Sequence, residues 1–261
     1  MNRRRFLLDL GALCAVAGCT PHAGALSALP AGPIAMGWRW IPGDQHAWRV
    51  RVERRTTRVL VQRVEEWTYR VLAVDGVGTA QLEGRLTGFG AGATVDGEPL
   101  SDDVVARARA VEQAALEPVT LAVSMAGEVV DIGLDSLARE LPHRAVVQRL
   151  PRDAVQLGEA WEDTALLRHL AGAIPMEMEV RLTGQTELTA VERLDGRVAL
   201  RLATEQRASS VGGVVLVLRG DSLWDAERGE LIRRRFEVAA IPDVDDDVEQ
   251  VGGLVVEVMR T

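Results

Sequence analysis

A two-residue alternation of apolar and polar side chains recurs along this chain and limits what it can fold into. Trp48, Val50 and Val52 alternate with charged residues, and the same period appears over residues 176–183 and 197–203. Successive side chains of a β-strand point to opposite faces, so this pattern buries one face of a sheet and leaves the other in water. The sequence therefore predicts an antiparallel sheet with one covered face.

Turn signals separate the predicted strands. Asp75-Gly76 and Asp195-Gly196 have the composition of hairpin turns. Residues 88–92, which contain three glycines, resemble a phosphate-binding loop in composition, but no helix start follows them, so they predict a flexible connection between strands. The apolar runs 214–218 and 254–258 predict strands that are covered on both faces.

Three turn landmarks occur twice in the same order, which predicts an internal duplication. Residues 42–44 with Trp48 correspond to residues 157–159 with Trp161. The two Asp-Gly hairpins form the second pair, and the Gly-Glu turns at 127–128 and 229–230 form the third. The interval between the second and third landmarks is longer in the first half, so that half contains an insertion.

Residues 101–118 fill this insertion and carry helical signals. Ser101 can cap a helix, acidic residues follow it in the first turn, and Pro118 would end the helix. A second helical stretch covers residues 135–150, where Pro142 predicts a division into two short helices.

The predicted fold is mainly β (α+β): a curved or split antiparallel sheet built from two tandem repeats, with a few helices packed on one face. The expected organisation is a signal peptide (1–18), a tether rich in Ala, Gly and Pro (19–36) and a β-rich domain (37–261). The domain divides into repeat one (37–134, with the helix insert 101–118), a helical link (135–150) and repeat two (151–261).

The first nineteen residues resemble the signal of bacterial lipoproteins. Arg3 and Arg4 give a positive start, and the apolar run after them is too short to cross a bilayer. Val16, Ala17, Gly18 and Cys19 resemble the lipobox, in which the cysteine is acylated before cleavage. The resemblance implies a lipid anchor at Cys19. The alternative is an ordinary signal peptide with an incidental cysteine.

The export route and the membrane follow from the same segment. Arg3 and Arg4 with the apolar residues after them resemble a twin-arginine signal, and a general secretory signal is the alternative. Lipoproteins retained in the inner membrane commonly have Asp after the cysteine, where this chain has Thr20. The resemblance implies anchoring in the outer membrane, facing the periplasm.

The order of these features resembles a type of uncharacterised bacterial lipoprotein. The features that carry this resemblance are the lipobox, the tether and the repeated Asp-Gly hairpin. A further feature is Leu150-Pro151, which precedes the Gly-Glu-Ala-Trp sequence at residues 158–161. More distantly, a curved antiparallel sheet with helices on its concave face is similar to periplasmic lipoprotein carriers and their outer-membrane receptors. The resemblance implies export, anchoring and β architecture, and it implies no particular activity.

Charge and missing motifs exclude several classes of function. The formal net charge of −8 argues against nucleic acid as a partner, because phosphate binding needs clustered cationic excess. The sequence has no Gly-x-Ser-x-Gly elbow, no Walker loop and no His pair at zinc-ligand spacing. We therefore expect no enzymatic activity, no cofactor and no metal.

Two functions remain. The first is a non-catalytic binding or structural role in the cell envelope, with an envelope protein or a lipid as partner. The alternative is a carrier of an apolar ligand such as a lipid, held between sheet and helices in a cavity lined by Trp48, Trp67, Trp161, Met176 and Met178. A dry core would favour the first function, and a cavity of about 300 Å³ or more would favour the second.

Overall fold

The computed structural model describes residues 32–55, 58–99, 103, 106, 117–133, 140–168, 179–208, 214–242 and 253–261. In these ranges the chain forms one antiparallel sheet of twelve strands. The strands are β1 (Gln45–Arg55), β2 (Val59–Val74), β3 (Ala80–Val95), β4 (Glu98–Pro99), β5 (Val119–Val123), β6 (Val129–Ile132), β7 (Ala160–Arg168), β8 (Glu179–Leu194), β9 (Arg197–Arg207), β10 (Val214–Asp225), β11 (Glu230–Pro242) and β12 (Gly253–Arg260). The prediction of a mainly β, antiparallel fold is confirmed.

The sheet is open, and its two halves meet in the middle. The strand order is β6-β5-β3-β2-β1-β12-β11-β10-β9-β8-β7, with β4 beside β3. Apart from the short β4, each half is therefore a meander in which consecutive strands are neighbours. The halves join where β1 pairs with β12, with Trp48 opposite Arg260 and Arg55 opposite Gly253.

One face of the sheet is buried, as the alternation predicts. Trp48 and Val50 of β1 are buried, whereas the alternate residues Arg49 and Arg51 are exposed. The prediction that residues 254–258 are covered on both faces is not confirmed, because their alternate side chains are buried and those between them are partly exposed. This apolar run is covered on one face.

A short helix, α1 (Glu140–Val146), packs on the covered face against β1, β7, β11 and β12. Its Ala145 and Val146 are buried. Pro142 lies in the first turn of α1, where its missing N–H has no helical partner to lose, so it does not divide the helix as we predicted. Residues 147–150 of the predicted helical link are not helical, and residues 134–139 lie outside the described residues.

Two other predicted segments are described only in part. Within 101–118, Asp103 and Ala106 are helical, and positions 101–102, 104–105 and 107–116 lie outside the described residues. The predicted tether ends earlier than expected, because Ile34 and Val155 exchange two backbone hydrogen bonds of 2.8 and 3.0 Å. Residues 1–31, which include the predicted signal and Cys19, lie outside the described residues.

The turns that lead into β1 and β7 make the same backbone hydrogen bonds. The N–H of Gly43 donates to the Val71 carbonyl, and the N–H of Val71 donates back to the carbonyl of the residue after Gly43. Gly158 and Leu188 make the same exchange in the second half. Both glycines have positive φ, 93° and 83°, which an L side chain rarely adopts.

The correspondence extends into the second strand of each half. The pairing register with the next strand shifts by one residue at Leu72 in β2 and at Thr189 in β8. An Asp-Gly turn then joins each of these strands to the next. The turns differ in detail. Asp195 and Gly196 both have positive φ, as in a type I′ turn, whereas Asp75 starts a longer turn and accepts two backbone N–H groups on its carboxylate.

The third pair of landmarks also falls on equivalent turns, between β5 and β6 and between β10 and β11. Gly127 and Gly229 both have positive φ, 72° and 64°. Residues 37–40 run past both turns, with Trp38 donating a backbone hydrogen bond to Met125 and Arg39 donating one to Gly229. A Cβ atom at Gly127 would overlap the Gln148 carbonyl oxygen, so this turn needs glycine for space as well as for φ. The two-repeat interpretation stays a prediction.

Candidate functional site

Two of the three tryptophans predicted to line a cavity lie in the hydrophobic core. Trp48 is 1% exposed and packs edge-on against Trp38, with ring centroids 6.2 Å apart. Trp67 is also buried and donates its Nε1–H to Glu65 over 2.7 Å. Trp161 is half-buried against the core. Met176 and Met178 lie outside the described residues.

A cavity of about 390 Å³ does lie between α1 and the covered face of the sheet. Leu218 of β10 and Phe236 of β11 line it on the side of the sheet. Its roof comes from α1 and the segment after it, where Leu141 and Val147 are among the lining residues. Among the described lining residues there is none of the three predicted tryptophans, because those rings pack elsewhere in the core.

The cavity is also strongly polar, which the sequence did not predict. The part of its lining that the structure describes contains four arginines and two acids. The arginines are Arg144, Arg149, Arg181 and Arg234, and the acids are Glu128 and Asp163. Of these, Arg181 has an exposed side chain, so its charge is in contact with solvent.

Asp163 begins a row of polar side chains that crosses three strands on the covered face. It is 3% exposed, and its Oδ2 accepts a hydrogen bond of 2.9 Å from the Thr186 hydroxyl. Thr186 is in turn 2.9 Å from the Thr204 hydroxyl. Both threonine hydroxyls therefore have partners, and the hydrogen bond from Thr186 orients the Asp163 carboxylate.

Arg234 ties the sheet to the roof of the cavity. Its Nη1 donates to the carbonyls of Ala145 and Val147 over 3.4 and 3.2 Å, at the carboxyl end of α1. Its guanidinium lies over the Phe236 ring, 5.0 Å from the centroid. Burial lowers the pKa of Arg234, and the Asp163 carboxylate opposes that effect. This arginine therefore has a structural task in closing the cavity.

Gln206 of β9 has no such task. Its side chain lines the cavity and is 1% exposed. Neither its amide nitrogen nor its amide oxygen has a hydrogen-bond partner among the residues that the structure describes. A buried polar group without a partner costs about 1–3 kcal/mol, so its presence calls for an explanation other than stability.

A separate buried cluster surrounds His46 at another part of the core. His46 stacks on Trp48, and its Nδ1 lies 3.7 Å from a carboxylate oxygen of buried Glu230. Burial lowers the pKa of His46, the nearby Arg260 lowers it further, and Asp44 opposes them. The lowered pKa favours the neutral form of the imidazole.

Within the described part of the chain, no group of three or more His, Cys, Asp or Glu side chains could hold a metal ion. The same part contains no helix that is long and apolar enough to cross a membrane.

The site residues carried a sequence signal that we did not use. Leu200 and Leu202 face the core in the alternation of β9, and Gln206 continues the same series two steps later. Arg234 likewise precedes the buried Phe236 by two positions in β11. A polar residue at an inward position of a strand is unusual enough to mark a candidate site.

No protein-family model matches this chain, and no curated protein is significantly similar to it. Among solved structures, lipovitellin, described for its lipid–protein interactions, is similar at 11% identity with a TM-score of 0.54. The match covers 85% of this chain and 25% of the lipovitellin chain. DynF from the dynemicin biosynthesis pathway of Micromonospora chersina matches at 8% identity over 93% and 92% of the two chains, but with a TM-score of 0.21. The chain thus shares a large antiparallel sheet fold with about a quarter of lipovitellin.

Proposed function

We propose that this chain is a non-catalytic binding protein of the cell envelope that holds a lipid-like amphiphile between α1 and the sheet. The observation that carries the proposal is the cavity of about 390 Å³. It lies within the size range of ligand pockets, and its described lining combines apolar side chains with polar ones, as an amphiphile requires. A purely structural component would not need such a space in its core.

The fold similarity supports the same function. Lipovitellin is described for its lipid–protein interactions, and its sheet is similar to this one. An open antiparallel sheet with one covered face offers a wide apolar surface, and a ligand can take part of that surface in place of protein.

The proposed place of action is the periplasmic side of the outer membrane. The order of Arg3 and Arg4, an apolar run and a lipobox ending at Cys19 supports export followed by acylation. Acyl chains on Cys19 would hold the domain close to a bilayer, where amphiphiles are available.

The two-repeat architecture belongs to the same proposal. It is supported by the matching hydrogen bonds at Gly43 and Gly158 and by the irregularities at Leu72 and Thr189. Exchanging residues 41–45 with 156–160 tests it, because the two segments have equal length. We expect the exchanged protein to fold with its urea midpoint nearly unchanged, and failure to fold would contradict a common origin.

The function is tested by extraction of the native protein. The full chain is purified from membranes in mild detergent, and bound lipid is extracted and identified by mass spectrometry. Leu141→Trp should fill the cavity and reduce the bound lipid. Leu72→Trp, the same substitution at a site 48% exposed and outside the cavity lining, should leave it unchanged. Equal lipid in both variants, or none in the parent protein, would contradict the proposal.

A further inference from the structure

We infer that one end of the sheet rests on a lipid bilayer, and that Ile41, Val77 and Met125 insert among the lipids there. This inference rests on the acylation proposed for Cys19 and adds the surface through which the anchored domain meets the membrane.

The exposed apolar side chains are unevenly distributed between the two ends of the sheet. Because the sheet is antiparallel, β1, β3 and β6 begin at the end where β2 and β5 finish, which we call the entry end. Seven of the nine large apolar side chains that are exposed in the described residues lie there, in turns or within two residues of a strand terminus. The other two are Val61, at the opposite end of β2, and Leu157, before β7. Such a concentration marks a contact surface, whereas single exposed apolar side chains would not.

Two of the most exposed of these side chains lie on adjoining turns. Val77 is 82% exposed in the turn from β2 to β3, and Met125 is 54% exposed in the turn from β5 to β6. A Cβ atom at Gly78 would lie 2.7 Å from the Met125 side chain. Met125 therefore packs against the β2–β3 turn, beside Val77.

The segment that leads into β1 adds Ile41 to the same surface. Trp38 donates its backbone N–H to the Met125 carbonyl over 2.9 Å, and Ile41, three residues later, is 57% exposed. The Ile41 carbonyl accepts a hydrogen bond of 3.0 Å from Asp44, in the turn that is joined to β2 through Gly43. Ile41, Val77 and Met125 thus belong to one stretch of surface, which we call the entry patch.

The chain that comes from Cys19 reaches the domain at this end. Residues 37–40 pass the β5–β6 and β10–β11 turns, both of which lie at the entry end. Trp38 is 19 residues after Cys19, a reach of at most about 65 Å. The 16 residues of β2 alone span about 50 Å, so presenting the opposite end to the bilayer would use most of that reach. An anchor at Cys19 therefore favours contact through the entry patch.

The charges beside the entry patch have both signs. Among the described residues, Asp44 and Asp75 are exposed in its turns, and Arg39 and Arg70 are exposed on the segments next to them. This mixture gives no net attraction to anionic head groups, so the contact depends on apolar insertion and should persist at high salt. The patch would be a second membrane signal beside the acyl chains.

The experiment is quenching of a fluorophore on the native acylated protein, reconstituted in phosphatidylcholine vesicles. In the proposed mature protein Cys14 has left with the signal and Cys19 is acylated, so a single introduced cysteine carries the label. Val77→Cys and Met125→Cys place the label in the entry patch, and Val61→Cys places it at the opposite end of β2, on a side chain that is 39% exposed. Phosphatidylcholine with a nitroxide on its acyl chain should quench the first two labels, at low and high salt alike, and leave the third unquenched.

A charge in the patch provides a second test. Met125→Asp should reduce the quenching of the Val77→Cys label, because a carboxylate resists transfer into an apolar environment. Val61→Asp is the matched control and should leave that quenching unchanged. If Met125→Asp fails to fold, the three labels of the first experiment still decide.

The outcomes separate this inference from the proposal on which it rests. If the protein is acylated at Cys19 and stays with the vesicles, but the three labels are quenched equally or not at all, docking through the entry patch is wrong and the anchor stands. If mass spectrometry finds no acyl chain on Cys19, the anchor and the docking fail together.

Discussion

Replacing Gln206 with methionine should stabilise the ligand-free protein. The two side chains have the same unbranched shape, so the substitution removes the amide without changing the packing of β9. Gln206 is 1% exposed and both of its amide atoms lack partners among the described residues, so folding loses their hydration and gains nothing in return. An unpaired buried polar group costs about 1–3 kcal/mol, and we expect the free energy of unfolding to rise by about that amount.

Urea titration followed by tryptophan fluorescence measures this change, because Trp48 and Trp67 are buried in the native state. The midpoint should rise with the slope unchanged. In a thermal scan, each kcal/mol should raise Tm by about 2–4 °C in a protein of this size.

Thr204→Val is the matched control for this prediction. Thr204 faces inward on the same strand, but its hydroxyl lies 2.9 Å from that of Thr186, so its removal should destabilise the protein by about 0.5–1.5 kcal/mol. A Gln206→Met protein that is less stable than the parent without amphiphile would mean that the amide is already hydrogen-bonded, and would refute the reasoning from the unpartnered amide.

Three further predictions concern other parts of the chain. Cys19→Ser should move the protein from the membrane to the soluble fraction of a cell extract, and mass spectrometry of the parent should find an acylated Cys19; a membrane-bound serine variant would contradict the anchor. Gly127→Ala should lower the free energy of unfolding, measured by urea titration, by about 1–3 kcal/mol or more, since it adds a clash to a positive φ. Gly92→Ala, with nothing within 4 Å of the new Cβ atom, should leave it unchanged. Equal effects of the two substitutions would contradict the steric argument. Because burial and Arg260 lower the pKa of His46, the unfolded state binds the extra proton first, so stability should fall as pH drops below about 6.5; His46→Phe should flatten urea midpoints measured between about pH 8 and pH 5.5, and an unchanged slope would contradict it.

The sheet and its faces could be predicted because strand alternation is a local property. The inward positions of Trp48 and Val50 follow from the residues between them, without knowledge of any neighbouring strand. The same holds for the Asp75 and Asp195 turns, whose residue types suit a reversal of the chain.

The errors arose where a partner strand or a position within an element decides the structure. Residues 88–92 form part of β3 rather than a flexible connection, and Gly88 lies opposite Glu66 of β2, where a Cβ atom would crowd the glutamate side chain. The sequence does not show that partner. Counted from the matching turns, the position equivalent to Trp161 is His46 and not Trp48, since each stands three residues after its glycine.

The inward positions of Gln206 and Arg234 could be read from the sequence, but their meeting in one cavity could not. Gln206, Asp163 and Arg234 line one cavity only because α1 packs beside them. The helix is held there by contacts between residues distant in sequence, such as that of Arg234 with Ala145. The predicted aromatic lining was plausible by composition, but tryptophan rings gain most from packing on one another, as Trp38 and Trp40 do with centroids 4.7 Å apart.

The pairing of β1 with β12 sets the order in which this sheet can be completed. Trp48 and Arg260 are opposite each other across the centre of the sheet, so the seam has a very high contact order and closes slowly. Until residues 253–260 are available, β1 and β11 are both bare edges, open to pairing with another chain. A chain that crosses the membrane unfolded would meet this hazard in the periplasm. A chain carried by the twin-arginine route would close the seam before export.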